Sequence, residues 1–244
     1  MTHAASGTTI HVSTEALQQK MSQATEYLEL ARYRQAVRLL SDLLKKEPLG
    51  MIDQLYVLAQ RAVANALWKK PEAAIEDASQ LLAAVKADVN DLPHDMDWKK
   101  EHKEDVGHLR FLADVLQLRG VLYRLIKSPR AAVEDLSLSA YMTREETDNT
   151  LNYVLRAGAL IELGDCLEQA QRDLDAVWTQ NKPLFYEWLD LPEVEQAHFE
   201  LDKKRVYFVS EDHRIALKPD KVKLKKSKLT ARWFRLCQLL HLDL

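Results

Sequence analysis

Apolar and small residues recur through most of the chain at intervals of three and four, the spacing that puts them on one face of a helix. Leu55, Leu58, Ala62 and Ala66 fall on one such face. A short break follows, and a second periodic run opens at Pro71, a residue a helix tolerates at its first position because φ is already suitable. The pattern predicts helix, turn, helix. It also predicts close approach of the two helices at Ala74, where the side chain is small.

The same pattern returns fifty-eight residues later. RAVANALWKKPEAAIEDAS, from Arg61, and RGVLYRLIKSPRAAVEDLS, from Arg119, are identical at 10 of 19 positions, among them Arg61/Arg119, Lys69/Lys127, Pro71/Pro129, Ala74/Ala132, Asp77/Asp135 and Ser79/Ser137. Ser128, before Pro129, is placed as an N-cap. Looser relatives lie on both sides. Upstream, Ala24, Tyr27, Ala31, Tyr33, Ala36, Leu40, Leu43 and Pro48 occupy matching slots. Downstream, Gly158, Leu163, Gly164, Ala170, Leu174 and Val177 do so. Gly164 is expected to end a helix, with Asp165 and Glu168 forming a capping box for the next. Ala36, Ala74, Ala132 and Ala170 are spaced 38, 58 and 38 residues apart. One hairpin recurring in this way predicts a stacked helical array.

On these residues the chain resembles the tetratricopeptide repeat family, whose repeat is about 34 residues long. The first repeat, with Ala24, Tyr27, Ala36 and Pro48 in phase, carries the resemblance best; the other three lack the closing proline. It covers about residues 14–183. It implies an all-α fold of antiparallel hairpins in a right-handed superhelix, whose first helices line a concave face. The inward slots it implies are Gln18, Met21, Thr25, Tyr56, Gln60, Val63, Asp114, Gln117, Val121, Arg124, Asn152, Arg156 and Ala159. Such a groove would take an extended peptide or helix, with Arg124 and Arg156 gripping a carboxylate or, alternatively, pairing with neighbouring acids. Some members clamp acidic chaperone tails with lysine, asparagine and arginine. Here those places hold Met21, Thr25, Gln60, Asp114 and Leu118, so the standard clamp is not expected.

Between the second and third repeats, AVKADVNDLPHDMDWKKEHKEDVG supplies about twenty extra residues, with an acidic loop at about 86–98. A calcium loop counted from Asp88 would place Pro93 where glycine is required and Lys99 where a carboxylate is required, so no metal is expected. Residues 1–13 are small and polar and read as a disordered tail. Residues 184–244 read as a capping extension. Short helices are predicted over 181–204, their aromatics Phe185, Tyr186, Trp188 and Phe199 covering the last repeat. RVYFVSEDHRIALKP predicts a short β-hairpin. A basic amphipathic helix follows, with Lys225, Lys226, Lys228, Arg232 and Arg235 flanking an apolar face that includes Trp233.

Composition sharpens the picture only in places. Residues 1–202 hold 22 Lys and Arg against 33 Asp and Glu, whereas residues 203–235 hold 12 against 3. An acidic body therefore carries a basic segment, which can seek an acidic partner or fold onto its own body. The two cysteines, Cys166 and Cys237, make no disulfide framework; both read as core, and a reducing, cytoplasmic setting is expected. No phosphate-cradling glycine motif, GxSxG or metalloprotease signature is present. The expected function is non-enzymatic: an adaptor, co-chaperone-like protein or assembly factor without a cofactor, binding a protein partner in the groove. No nucleic-acid or membrane partner is expected. The alternative is a regulatory or targeting protein whose basic C-terminal helix binds a partner protein, a membrane surface or a ribonucleoprotein.

Overall fold

A computed structural model describes residues 14–46, 49–89, 103–143, 149–182, 191–202 and 204–217. The N-terminal tail, most of the acidic loop, Phe185, Tyr186, Trp188, Cys237 and the whole basic segment from Lys225 to Arg235 lie outside these residues.

Eight helices, packed consecutively in pairs, make up most of the described chain. They are α1 (Thr14–Glu29), α2 (Tyr33–Lys46), α3 (Met51–Leu67), α4 (Pro71–Val89), α5 (Lys103–Leu125), α6 (Pro129–Met142), α7 (Thr150–Leu163) and α8 (Leu167–Gln180). Each packs chiefly against the helix before and the helix after it, with lesser contacts between α1 and α3 and between α5 and α7. The two prolines open α4 and α6 as their fixed φ predicts. Ser128 takes the N-cap position of α6, but its side chain makes no capping bond. Gly164 caps α7 in the left-handed conformation, φ 72°. The Asp165–Glu168 capping box does not form: Cys166 is the N-cap residue of α8, and Asp165 Oδ1 instead accepts the Cys166 N–H at 2.9 Å.

The turns inside the first three hairpins are one motif written three times. Ala31, Lys69 and Lys127 have φ of 56°, 62° and 61°. The next residue in each case donates its N–H five residues back, Arg32 to Tyr27, Lys70 to Asn65 and Ser128 to Tyr123, at 2.7–2.9 Å. This is the Schellman closure, which satisfies carbonyls a helix end leaves orphaned. The Lys69/Lys127 identity in the repeated phrase is thus a conserved turn geometry within one chain.

Packing proceeds along the array in three overlapping clusters. The first joins α1, α2 and α3 around Ala24, Ala36 and Leu40; the second joins α3, α4 and α5 around Ala62, Leu81 and Leu112. The third joins α5 to α8 with a small sheet, around Leu155, Leu174, Phe199 and Phe208. That sheet is antiparallel, β1 (His198–Asp202), β2 (Arg205–Val209) and β3 (Arg214–Ala216), in sequence order. The β2–β3 hairpin matches the sequence expectation. β1 corrects it: the residues expected as helix around Phe199 pair instead with β2, Phe199 opposite Phe208. The alternation of Phe199 and Leu201 with charged neighbours is the strand's signal, too short to outweigh the helical context upstream. Trp178 of α8 meets Phe208 edge to face, ring centroids 5.9 Å apart, and Phe199 lies 5.8 Å from Phe208. α8 also covers the outer edge of β1, where an unpaired backbone would otherwise be left. Gln171 Nε2 donates to the Phe199 carbonyl at 2.7 Å, and the Phe199 N–H donates to Asp175 Oδ1 at 3.3 Å.

Burial raises the pKa of Asp175 above the ordinary aspartate range, outweighing the Phe199 N–H and the nearby His198, which act to lower it. A carboxyl with a raised folded pKa contributes stability fully below its unfolded pKa and loses it as pH rises through the folded value. Asp175→Asn keeps the acceptor and removes the ionisation. The variant is therefore expected to match wild type near about pH 4 and to melt higher near about pH 7. Thermal melts at the two pH values check this; a lower melting temperature at the higher pH contradicts it.

Candidate functional site

The arginine and aspartate shared by the two copies of the repeated phrase meet across each hairpin. Arg61 Nη2 of α3 lies 2.6 Å from Asp77 Oδ1 of α4. Arg119 of α5 grips Asp135 of α6 with two bonds, Nε to Oδ2 at 2.7 Å and Nη2 to Oδ1 at 2.8 Å. The last hairpin uses the same fork: Arg156 of α7 holds Asp173 of α8, Nε to Oδ2 and Nη2 to Oδ1, both at 2.7 Å. The arginine side chains are only 15–19% exposed and the aspartates 3–9%. In pairs this dry, with bidentate geometry, loss of one partner strands the other charge, as it would not at a surface pair. The Asp135 bond raises the Arg119 pKa against a smaller desolvation effect. At Arg156 desolvation is the largest single influence and acts downward, yet the bond to Asp173, its charge and Tyr153 together raise the pKa.

In two of the three clamps the remaining guanidinium nitrogen reaches back to the preceding hairpin. Arg61 Nη1 donates to Ser41 Oγ of α2 at 3.3 Å, and Arg119 Nη1 donates to Ser79 Oγ of α4 at 3.1 Å. The clamp therefore ties both helices of its own hairpin to the second helix of the one before.

The positions expected to line a groove fall into three groups. Gln18 is exposed, and Thr25, Asp114, Arg124 and Arg156 are half-buried. Met21, Tyr56, Gln60, Val63, Gln117, Val121, Asn152 and Ala159 are 0–7% exposed and lie inside the packing. Their polar groups bond between successive first helices. Gln60 Nε2 donates to Thr25 Oγ1 at 2.8 Å and to the Tyr56 hydroxyl at 2.7 Å, while Gln60 Oε1 has no partner among the described residues. Gln117 donates to Asn152, whose amide in turn donates to Thr143 and Asn149. Both cross-repeat amide links span 35 residues, one joining α1 to α3 and the other α5 to α7. Burial all round arises because each first helix is enclosed by its neighbours in the stack, which its own periodicity does not report.

The two arginines expected to grip a partner carboxylate are engaged within the chain. Arg156 holds Asp173; Arg124 Nε lies 3.3 Å from Glu162 Oε2 of α7, and Lys127 Nζ 3.2 Å from Glu162 Oε1. Burial lowers the Arg124 pKa, opposed by Glu162, and the guanidinium stays charged at any neutral pH. Cys166, expected in the core, is exposed instead, at the α7–α8 turn with φ 53°. The signal for the clamp was present in the sequence: an arginine and an aspartate sixteen residues apart, repeated together. The identity is visible in the sequence, whereas the pairing arises only when the two helices of a hairpin pack.

A cleft of about 560 Å³ opens between α6, α7, the start of α8 and β1. Its lining includes Ser137, Arg156, Arg172 and Lys204. Of the residues expected in the groove, Arg156 alone lies in this lining.

No family model, curated protein or solved structure matches the chain.

Among the described residues no cluster of His, Cys, Asp and Glu could hold a metal ion, and no helix is long and apolar enough to cross a membrane.

Proposed function

We propose that the chain is a non-enzymatic interaction protein, an adaptor or assembly factor that holds a segment of a partner against a tetratricopeptide-like stack of hairpins. The observation that carries this reading is the clamp repeated three times. Hairpins built on the same internal contact, two of them tied by it to the hairpin before, form a preformed surface, and such a surface binds without much ordering cost on its own side. The place on it best suited to a partner is the cleft beside Arg172 and Lys204, both exposed. A second reading is supported by the charge asymmetry: the basic segment around Lys225, Lys226 and Lys228 is the working site and the hairpins are its scaffold.

Proteins captured from a lysate by the full chain and by two charge variants distinguish the readings. Loss of a partner with Arg172→Glu/Lys204→Glu, and not with Lys225→Gln/Lys226→Gln/Lys228→Gln, is the expected result. The opposite pattern favours the second reading. An identical partner list for all three chains contradicts both.

A further inference from the structure

We propose that the cleft at the α6–α7–α8 junction binds a single carboxylate presented by a peptide chain; this rests on the interaction reading above. Ser41, Ser79 and Ser137 stand in equivalent places on the second helices of successive hairpins. The first two close their junctions by accepting a bond from Nη1 of the next hairpin's arginine. At the third junction that bond is missing. Arg156 donates to Asp173 through Nε and Nη2, the same fork that Arg119 uses, and Nη1 has no partner among the described residues. Ser137 and Arg156 both line the cleft instead. The third junction is an opened copy of two closed ones, and its free donors are the ones a ligand would meet.

The chemistry of the lining selects the ligand. A guanidinium edge, a hydroxyl, and the Arg172 and Lys204 cations make a set of donors suited to a carboxylate. Asp165 and Glu168 line the same cleft at the start of α8. They disfavour a doubly charged phosphate, and they can accept amide N–H groups from a peptide that carries the carboxylate. Leu160 and Leu201 give apolar contact for its flanking side chains. The volume lies within the range of ligand-sized sites.

The test is an NMR titration of the full chain, following the Gly164 amide and the arginine side-chain N–H signals. Four probes are compared: acetyl-Ala-Glu-Ala-amide, its Gln counterpart, acetyl-Ala-Ala-Ala with a free C-terminus, and inorganic phosphate. Saturating shifts are expected with the Glu peptide or the free C-terminus, whichever is the natural source, at about millimolar concentration. Binding at least tenfold weaker is expected for the Gln peptide and for phosphate. Ser137→Ala, a small change at a half-buried site, weakens the carboxylate by roughly tenfold. Equal shifts from the Glu and Gln peptides, tighter binding of phosphate, or no saturable shift with either carboxylate overturns the proposal. A chain that captures its partner through Arg172 and Lys204 yet ignores all four probes keeps the interaction reading and loses this one.

Discussion

Asp135→Ala lowers the unfolding free energy by about 3 kcal/mol, as removal of one partner from a buried, bidentate pair strands the other charge. Arg119 is 19% exposed and cannot turn fully to water without giving up its packing between α5 and α6. It also loses the geometry that directs Nη1 to Ser79, so the junction with the preceding hairpin weakens too. Replacing both partners, as Arg119→Met/Asp135→Leu, recovers most of the loss, because an apolar pair of similar volume carries no desolvation cost. The exposed pair Asp42–Lys46 provides the contrast: Asp42→Ala changes stability by no more than about 0.5 kcal/mol. Urea unfolding of the four chains reads these differences. A small effect from Asp135→Ala would mean that the clamp is ornament and that apolar packing alone joins the helices.

Gly120→Ala is expected to destabilise by about 2 kcal/mol, although alanine is the better helix former by about 1 kcal/mol. A Cβ at Gly120 would stand 2.7 Å from Leu136 Cγ and 3.3 Å from the Ala132 carbonyl oxygen. Leu136 is fully buried and has nowhere to retreat. The repeated phrase explains the glycine. Where the second copy has Gly120 and Leu136, the first has Ala62 and Ala78, both fully buried. The same interhelical contact is filled once by small plus large and once by two small residues. Gly120→Ala and Leu136→Ala should therefore couple. Their combination is expected to cost at least about 1 kcal/mol less than the two single losses together. Strict additivity would separate the two positions.

The hairpins were legible because their signals are local. Pro71 and Pro129 open helices, Gly164 closes one, and apolar periodicity marks the faces between. What a residue meets outside its own hairpin was not legible. Gln60, Gln117 and Asn152 are polar and sit where a concave face was expected, yet each finds a partner on a neighbouring helix and is buried there. Arg124 is engaged by Glu162 of the next hairpin and Arg156 by Asp173 of its own, so for both the alternative of pairing with neighbouring acids holds. Cys166 looked apolar by type, but the α7–α8 turn places it outside. β1 lacked the length that would have set its alternation apart from a helix. The cleft is an extreme case, since it depends on one hydrogen bond that two junctions make and the third does not.

That the molecule is an array of units contacting their neighbours is tested most directly by native-state hydrogen exchange, read by mass spectrometry, on the Gly120→Ala chain. Loss of protection is expected to be greatest in α5 and α6, to extend in part to α4 and α7, and to leave α1 and α2 as in wild type. Equal loss across all eight described helices would contradict the array and show one cooperative unit in its place.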